Sequence, residues 1–148
     1  MKATPNLRER ALKYLAAREH SRHELRRKLA PHAESAEQLE QLLDELTGRK
    51  QQSDERYAEL RTRVLSRKYG VGRIQHELRS KGVSEENIAA AVGEAKATEV
   101  ARAREAWRKR FEGKPANALE KAKQMRFLQS RGYSFSTIRA VFDEKDEG

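Results

Sequence analysis

The sequence predicts an all-α protein, built as an elongated, curved array of three tandem three-helix units over residues 1–50, 51–96 and 97–148. Three observations point there. Helix-period apolar spacing recurs along the chain, and no alternating apolar run of strand length appears. One helix–Gly–helix pattern returns at an interval near 50 residues. Charge sign alternates in step with that interval.

The clearest copy of the pattern is RIQHELRSKGVSEENIAAAV, Arg73 to Val92. Ile74 and Leu78 share one helix face. Gly82 ends that helix, because only glycine takes the left-handed conformation past a C-terminus without steric cost. Ser84 follows as an N-cap, with Glu85 and Glu86 in a first turn where the helix dipole favours negative charge. Ile88 and Val92 then resume the apolar face. Leu128, Gly132, Ser134, Ile138 and Phe142 stand 50 positions after Leu78, Gly82, Ser84, Ile88 and Val92. A weaker copy lies upstream: HELRRKL (His23 to Leu29) matches HELRSKG (His76 to Gly82) at an offset of 53, with Leu29 replacing the glycine and Pro31 in the loop that follows.

The first unit opens on a short amphipathic helix, roughly 6–18, whose face is Leu7, Ala11, Leu12 and Leu15. Ser21 and Glu24 form a capping box for a second helix, which carries Leu25 and Leu29 and stops before Pro31. Ser35 and Gln38 form another box. Leu39, Leu42, Leu43 and Leu46 give the cleanest helical face in the chain, and Gly48 stops that helix. Arg49 to Gln52 is a polar connector. Ser53 caps the next helix, with Tyr57, Leu60, Val64 and Leu65 on its face to about Tyr69. YGVGR, Tyr69 to Arg73, is the turn into the central pattern, whose acidic helix ends near Ala95. Val100, Ala103, Trp107 and Phe111 lie on a helix of about 97–112. Gly113 and Pro115 mark a loop. A basic helix of about 118–131 and a short one of about 135–143 follow, and the terminal EKDEG is expected to fray.

Net charge is +9 over 148 residues. The segments 1–32, 33–60, 61–82, 83–99, 100–132 and 133–148 carry +6, −5, +6, −3, +7 and −2. The first two helices of each unit are read as basic and the third as acidic. Units stacked in register would then show a continuous basic face, fit for a polyanion, and a separate acidic one. With 37% charged, 36% hydrophobic and 6% aromatic residues, a single core would be thin. Small units stacked on neighbours need less buried surface per residue. Cysteine is absent, which excludes a disulfide framework and a thiolate site. No apolar run approaches the roughly 18–20 residues of a membrane span. MKATPNLRER lacks a hydrophobic signal core. The expectation is a monomeric, cytoplasmic protein with no membrane partner.

Nothing reads as an enzyme. His20 and His23 are three apart, but a metal needs more ligands, so the histidines are read as helix-surface residues and no metal or cofactor is expected. Gly70 to Gly72 follows a helix and lacks the GxxxxGK(S/T) spacing, so it reads as a tight interhelical turn that would at most add an anion contact beside Lys68 and Arg73. No Ser–His–Asp arrangement or inward carboxylate pair stands out. Trp107 and Phe111 are read as core, and Tyr69 and Tyr133 as the better base-stacking candidates. The helix–Gly–helix unit looks like a helix-turn-helix, but its second helices carry Glu85, Glu86 and Glu94, or Asp143 and Glu144, which phosphates would repel. Any nucleic-acid contact therefore falls to the basic helices.

HELRRKL near the N-terminus, SDERYAELRTRVLSRKYGVGRIQHELRSKGVSEENI in the middle and KAKQMRFLQSRGYSFSTI near the end together resemble the RecX regulatory proteins. The forms matched are D-x-R-(F/Y)-A, then K-x-G-x-x-R-I-x-x-E-L-x-x-K-G-(I/V), then K-x-x-R-(F/Y)-L-x-x-R-G-(F/Y). Where many members have a Gly–aromatic–Leu step before the first of these, this chain has RKQQS, Arg49 to Ser53. The resemblance implies a helical, elongated three-unit fold. It also implies a non-enzymatic protein that binds the RecA recombinase and its single-stranded-DNA filament and suppresses its ATPase, strand-exchange and coprotease activities. On that reading the basic face comprises Arg67, Lys68, Arg73, Arg79 and Lys81, then Lys121, Lys123, Arg126 and Arg131. Leu25, Tyr57, Leu78, Ile88, Leu128 and Ile138 are assigned to the core, and Gly82 and Gly132 to structural turns. The alternative is a sequence-independent DNA-binding protein that competes with RecA for DNA.

Overall fold

The computed structural model describes residues 4–143. Among them lie α1 (Leu7–Ala17), α2 (Arg22–Leu29), a 3-10 turn (Ala30–His32), α3 (Ala36–Gly48), α4 (Asp54–Leu65), α5 (Val71–Ser80), α6 (Glu85–Ala97), α7 (Glu99–Arg110), α8 (Ala118–Ser130) and α9 (Phe135–Asp143). No strand occurs among the described residues. The EKDEG tail, expected to fray, lies outside them.

Side-chain caps explain most helix starts. Asn6, Ser21, Ser35 and Asn117 accept from the backbone N–H of Glu9, Glu24, Gln38 and Glu120, and Ser53, Ser84 and Ser134 from that of Arg56, Asn87 and Thr137. The Ser21–Glu24 box is complete in both directions. The expected Ser35–Gln38 box is half formed, because Gln38 reaches past the cap to the N–H of Glu34. At the end of α3 the left-handed residue is Lys50, at φ 60, rather than Gly48. The N–H groups of Gln51 and Gln52 then close on the Leu46 carbonyl. Gly82 (φ +77) and Gly132 (φ +87) do take the left-handed conformation. The turn expected over Tyr69 to Arg73 lies three residues earlier, over 66–70, since α4 stops at Leu65 and α5 already begins at Val71.

The chain divides into two compact units: Met1–Leu60 with Leu78–Ile88, and Arg61–Glu77 with Ala89–Gly148. In the first unit Leu7 and Ala11 of α1, Leu25 and Leu29 of α2, and Leu39, Leu42, Leu43 and Leu46 of α3 form one core. Each fully buried leucine contributes on the order of 1.5–3 kcal/mol. Around it Arg22 and Arg26 converge on Glu40, Arg22 also reaches Asp44, and Arg56 pairs with Glu19. His20, expected on a helix surface, is buried at 1% exposure. Its Nδ1 faces the Arg18 carbonyl and its Nε2 faces Lys28 Nζ.

In the second unit Ala103, Leu128, Tyr133, Ile138 and Val141 form the core, with Trp107 packed against it. Trp107 donates its indole N–H to Gln124 at 2.8 Å and meets Phe142 edge-on, a core role. Tyr57, Leu78 and Ile88, which belong to the first unit, are buried as well.

The two left-handed glycines sit in equivalent docks. Within the first unit, the turn at Gly82 rests on the start of α2. The Ser21 hydroxyl donates to the Lys81 carbonyl at 2.8 Å, and a Cβ on Gly82 would lie 2.7 Å from His23 Cβ. Within the second unit, the turn at Gly132 rests on the start of α5. Gly70 N–H donates to the Arg131 carbonyl at 2.8 Å, and a Cβ on Gly132 would collide with Arg73.

Candidate functional site

The second unit holds an open cleft of about 340 Å³. Its frame is polar and satisfied. Glu99, buried at the start of α7, accepts from Val71 N–H at 2.8 Å and Thr137 Oγ1 at 2.6 Å. Its carboxylate thus caps α5 from another helix, where the dipole favours negative charge. Arg102, one turn on, donates to the carbonyls of Ser66, Tyr69 and Ala95 at 2.7–2.9 Å. It thereby satisfies acceptors that the ends of α4 and α6 leave open.

On that frame stand the cleft's other cations. Arg67 and Lys68 project from the turn after α4, Lys109 and Arg110 from the last turn of α7, and Arg131 from the end of α8. Basic residues are favoured at these C-termini by the helix dipole. Among the described residues Glu105 is the only carboxylate lining the cleft, and it lies 3.8 Å from Lys109. Phe127 carries Arg131 at 5.0 Å and Arg110 at 5.9 Å from its ring centroid, and Phe111 meets it edge-on at 5.4 Å. Cation–π contact leaves the guanidinium N–H groups available to other acceptors. Tyr133 is buried at 4% exposure, and that burial pushes its phenol above the usual value. It therefore offers no stacking face, contrary to the sequence-based reading.

Of the cations chosen from sequence, Arg67, Lys68 and Arg131 come together at this cleft. Arg73 and Lys68 share the ring of Tyr69, at 4.7 and 5.6 Å. Lys121 lies 6.0 Å from the centroid of Phe142, while Lys123 and Arg126 are exposed on α8 and do not line the cleft. Arg79 and Lys81 belong to the first unit. There Arg79 pairs with Glu85 across the Gly82 turn, at 2.6 and 2.9 Å. Two N–H groups of the Gly70 turn considered for an anion contact are already engaged: Gly70 N–H is bonded to the Arg131 carbonyl and Val71 N–H to Glu99. Sequence reasoning passed over Arg102, Lys109 and Arg110. The run ARAREAWRKR, Ala101 to Arg110, was the signal available for all three.

No helix among the described residues is long and apolar enough to cross a membrane. Fold and site define a class: an all-helical protein of docked helix–glycine–helix turns, presenting a basic cleft. Family models described as the first, second and third three-helix domains of RecX match residues 8–46, 53–92 and 97–142. The chain belongs to the RecX family. The regulatory protein RecX of Leptothrix cholodnii is 48% identical over 136 residues, covering 92% of this chain and 87% of its own. That of Ralstonia pickettii is 43% identical over 142 residues, covering 96% and 89%. Among solved structures, a crystal structure of regulatory protein RecX superposes with TM-score 0.82 at 25% identity, covering 93% of this chain and 72% of that one. RecX from Lactobacillus salivarius superposes with TM-score 0.81 at 20% identity, covering 91% of each chain, and shows the shared fold. The relatives from Leptothrix cholodnii and Ralstonia pickettii are both regulatory proteins by name.

Proposed function

We propose that this chain binds the RecA recombinase and its filament on single-stranded DNA, and inhibits RecA's ATPase, recombinase and coprotease activities. It would thereby modulate recombination, DNA repair and the SOS response, acting in the cytoplasm as a monomer of three units, 1–50, 51–96 and 97–148. Membership of the RecX family carries this reading. The gathering of Arg67, Lys68 and Arg131 at one cleft supports an anionic partner surface. Arg73, Arg79, Lys81, Lys121, Lys123 and Arg126 are assigned to the same contact. Charge pairing of this kind mainly sets encounter rate and register.

The net charge of +9 favours a second reading, in which the protein covers DNA without regard to sequence and displaces RecA. A titration of RecA ATPase on single-stranded DNA, beside the protein's own DNA affinity, separates the two. Inhibition well below the ratio that coats the DNA supports the RecA reading. Inhibition that tracks DNA coverage and collapses with added salt supports the other.

A further inference from the structure

The cleft cations differ from a group of the chain's arginines in what surrounds them. Arg18, Arg22, Arg26, Arg56, Arg61 and Arg79 each have a carboxylate partner. At the cleft, Arg67, Lys68, Arg110 and Arg131 form no salt bridge among the described residues, although Arg102 and Lys109 add two more positive charges beside them. Like charges that converge on a cleft with one lining carboxylate, Glu105, among them raise the local potential and draw in anions.

We infer that the cleft is a binding site for a linear oligophosphate, the linked phosphates of a nucleoside triphosphate or of inorganic polyphosphate. Three features select that ligand. A volume of about 340 Å³ admits a compact molecule and not a folded surface. Guanidinium forks match phosphate oxygens bidentately, and two of them, those of Arg110 and Arg131, lie 5.9 and 5.0 Å from the Phe127 ring centroid. An extended acidic peptide advances about 3.3 Å per residue with alternate side chains on opposite faces, so few carboxylates would enter so small a space. Linked phosphates place charge on every group.

The aromatic residues point the same way. Phe127 is contacted by Arg110, Arg131 and the edge-on ring of Phe111, and Tyr133 is buried. Neither ring stands free of other contacts as a stacking platform for a base. Recognition is therefore by phosphate alone, with any nucleoside left outside. Binding is a property of the protein by itself. Only one consequence rests on the RecA reading: because Arg67, Lys68 and Arg131 are assigned to both roles, a bound oligophosphate would compete with RecA.

Calorimetric titration of the full chain with inorganic triphosphate, ATP, orthophosphate and oligothymidine tests the site. Triphosphate is expected to saturate at one per chain and to bind at least about tenfold more tightly than orthophosphate, with ATP within about threefold of it. Arg110→Gln with Arg131→Gln, and separately Arg67→Gln with Lys68→Gln, should each weaken triphosphate by about tenfold or more at unchanged helicity. Lys13→Gln with Arg27→Gln, the same charge removed from exposed positions in the first unit, should change it by less than about twofold. Equal losses in all three variants would reduce the effect to diffuse charge and overturn the site. So would triphosphate binding no tighter than orthophosphate. Loss of oligothymidine binding in the cleft variants, with no saturable triphosphate binding, would overturn it in favour of a phosphodiester-covering surface. RecA inhibition that survives while triphosphate binding is lost would leave this site standing and count against the RecA assignment of the same residues.

Discussion

The backbone N–H of Gly70 donates to the carbonyl of Arg131 at 2.8 Å, and a Cβ on Gly70 would lie 2.6 Å from the backbone of Gly132. The contact is backbone against backbone, so nothing flexible yields. Gly70→Ala is expected to destabilise by about 2–3 kcal/mol through overpacking. Gly113→Ala, with nothing within 4 Å, should stay within about 0.5 kcal/mol of the parent. Urea denaturation followed by helicity measures both, and equal midpoints would refute the docking role of Gly70.

Glu99 joins α5 to α9 through Val71 N–H and Thr137 Oγ1. Glu99→Ala would leave both donors buried without that partner, at about 1–3 kcal/mol for each group. Amide exchange should rise first at Val71. Thr137→Val, which keeps the Val71 bond, should leave that amide protected. Similar exchange in both variants would show that the carboxylate does not cap α5.

The first unit should lose stability toward acid in two steps. An ammonium only donates, so Lys28 Nζ at 2.8 Å requires His20 Nε2 to accept and Nδ1–H to donate to the Arg18 carbonyl at 3.0 Å. Burial, the largest cause, holds the pKa of His20 below its ordinary 6.5. The unfolded chain therefore takes up the proton first, and stability present above 6.5 declines as pH falls below it. Hydrogen bonding from Arg26 and then Arg22 holds Glu40 at about 2, so a second loss falls between its ordinary 4.5 and about 2. Glu40 is exposed, which keeps that step small. His20→Gln should flatten the first step and leave the second. Urea midpoints taken across both windows check the order.

On the RecA reading, reversing Arg73, Arg79 and Lys81 together should weaken inhibition at unchanged helicity. Reversing Arg67, Lys68 and Arg131 should weaken it more, by about tenfold in the concentration for half-inhibition. Arg79 already pairs with Glu85, whereas Arg67, Lys68 and Arg131 have no such partner among the described residues. Full ATPase inhibition by both variants would remove the basic residues from the contact.

The fold was legible because its signals are local. Leu39, Leu42, Leu43 and Leu46 announce one face of α3 by spacing alone, Ser21 with Glu24 marks a helix start, and Gly82 and Gly132 mark turns that need positive φ. The candidate site was legible only in part. Arg67, Lys68 and Arg131 stood out by charge, but their meeting at one cleft depends on how α4, α7 and α8 pack. Glu99 and Arg102 were passed over because a carboxylate that caps another helix, and a guanidinium that closes two helix ends, leave no periodic trace. His20 was misread for a related reason: a histidine beside a cap shows its burial only once Tyr14 and Lys28 close around it.

Gly72 and Gly82 are both exposed to solvent, yet a methyl group on Gly72 would come within 3.0 Å of the Gly132 carbonyl oxygen, and one on Gly82 within 2.7 Å of His23. Accessibility is the usual guide to which positions tolerate replacement, and at these it misleads. In a library of every single substitution, depletion at Gly70, Gly72, Gly82 and Gly132 should follow proximity to another segment rather than depth. The chain would then carry two kinds of immutable position, one hidden among leucines and one in plain view.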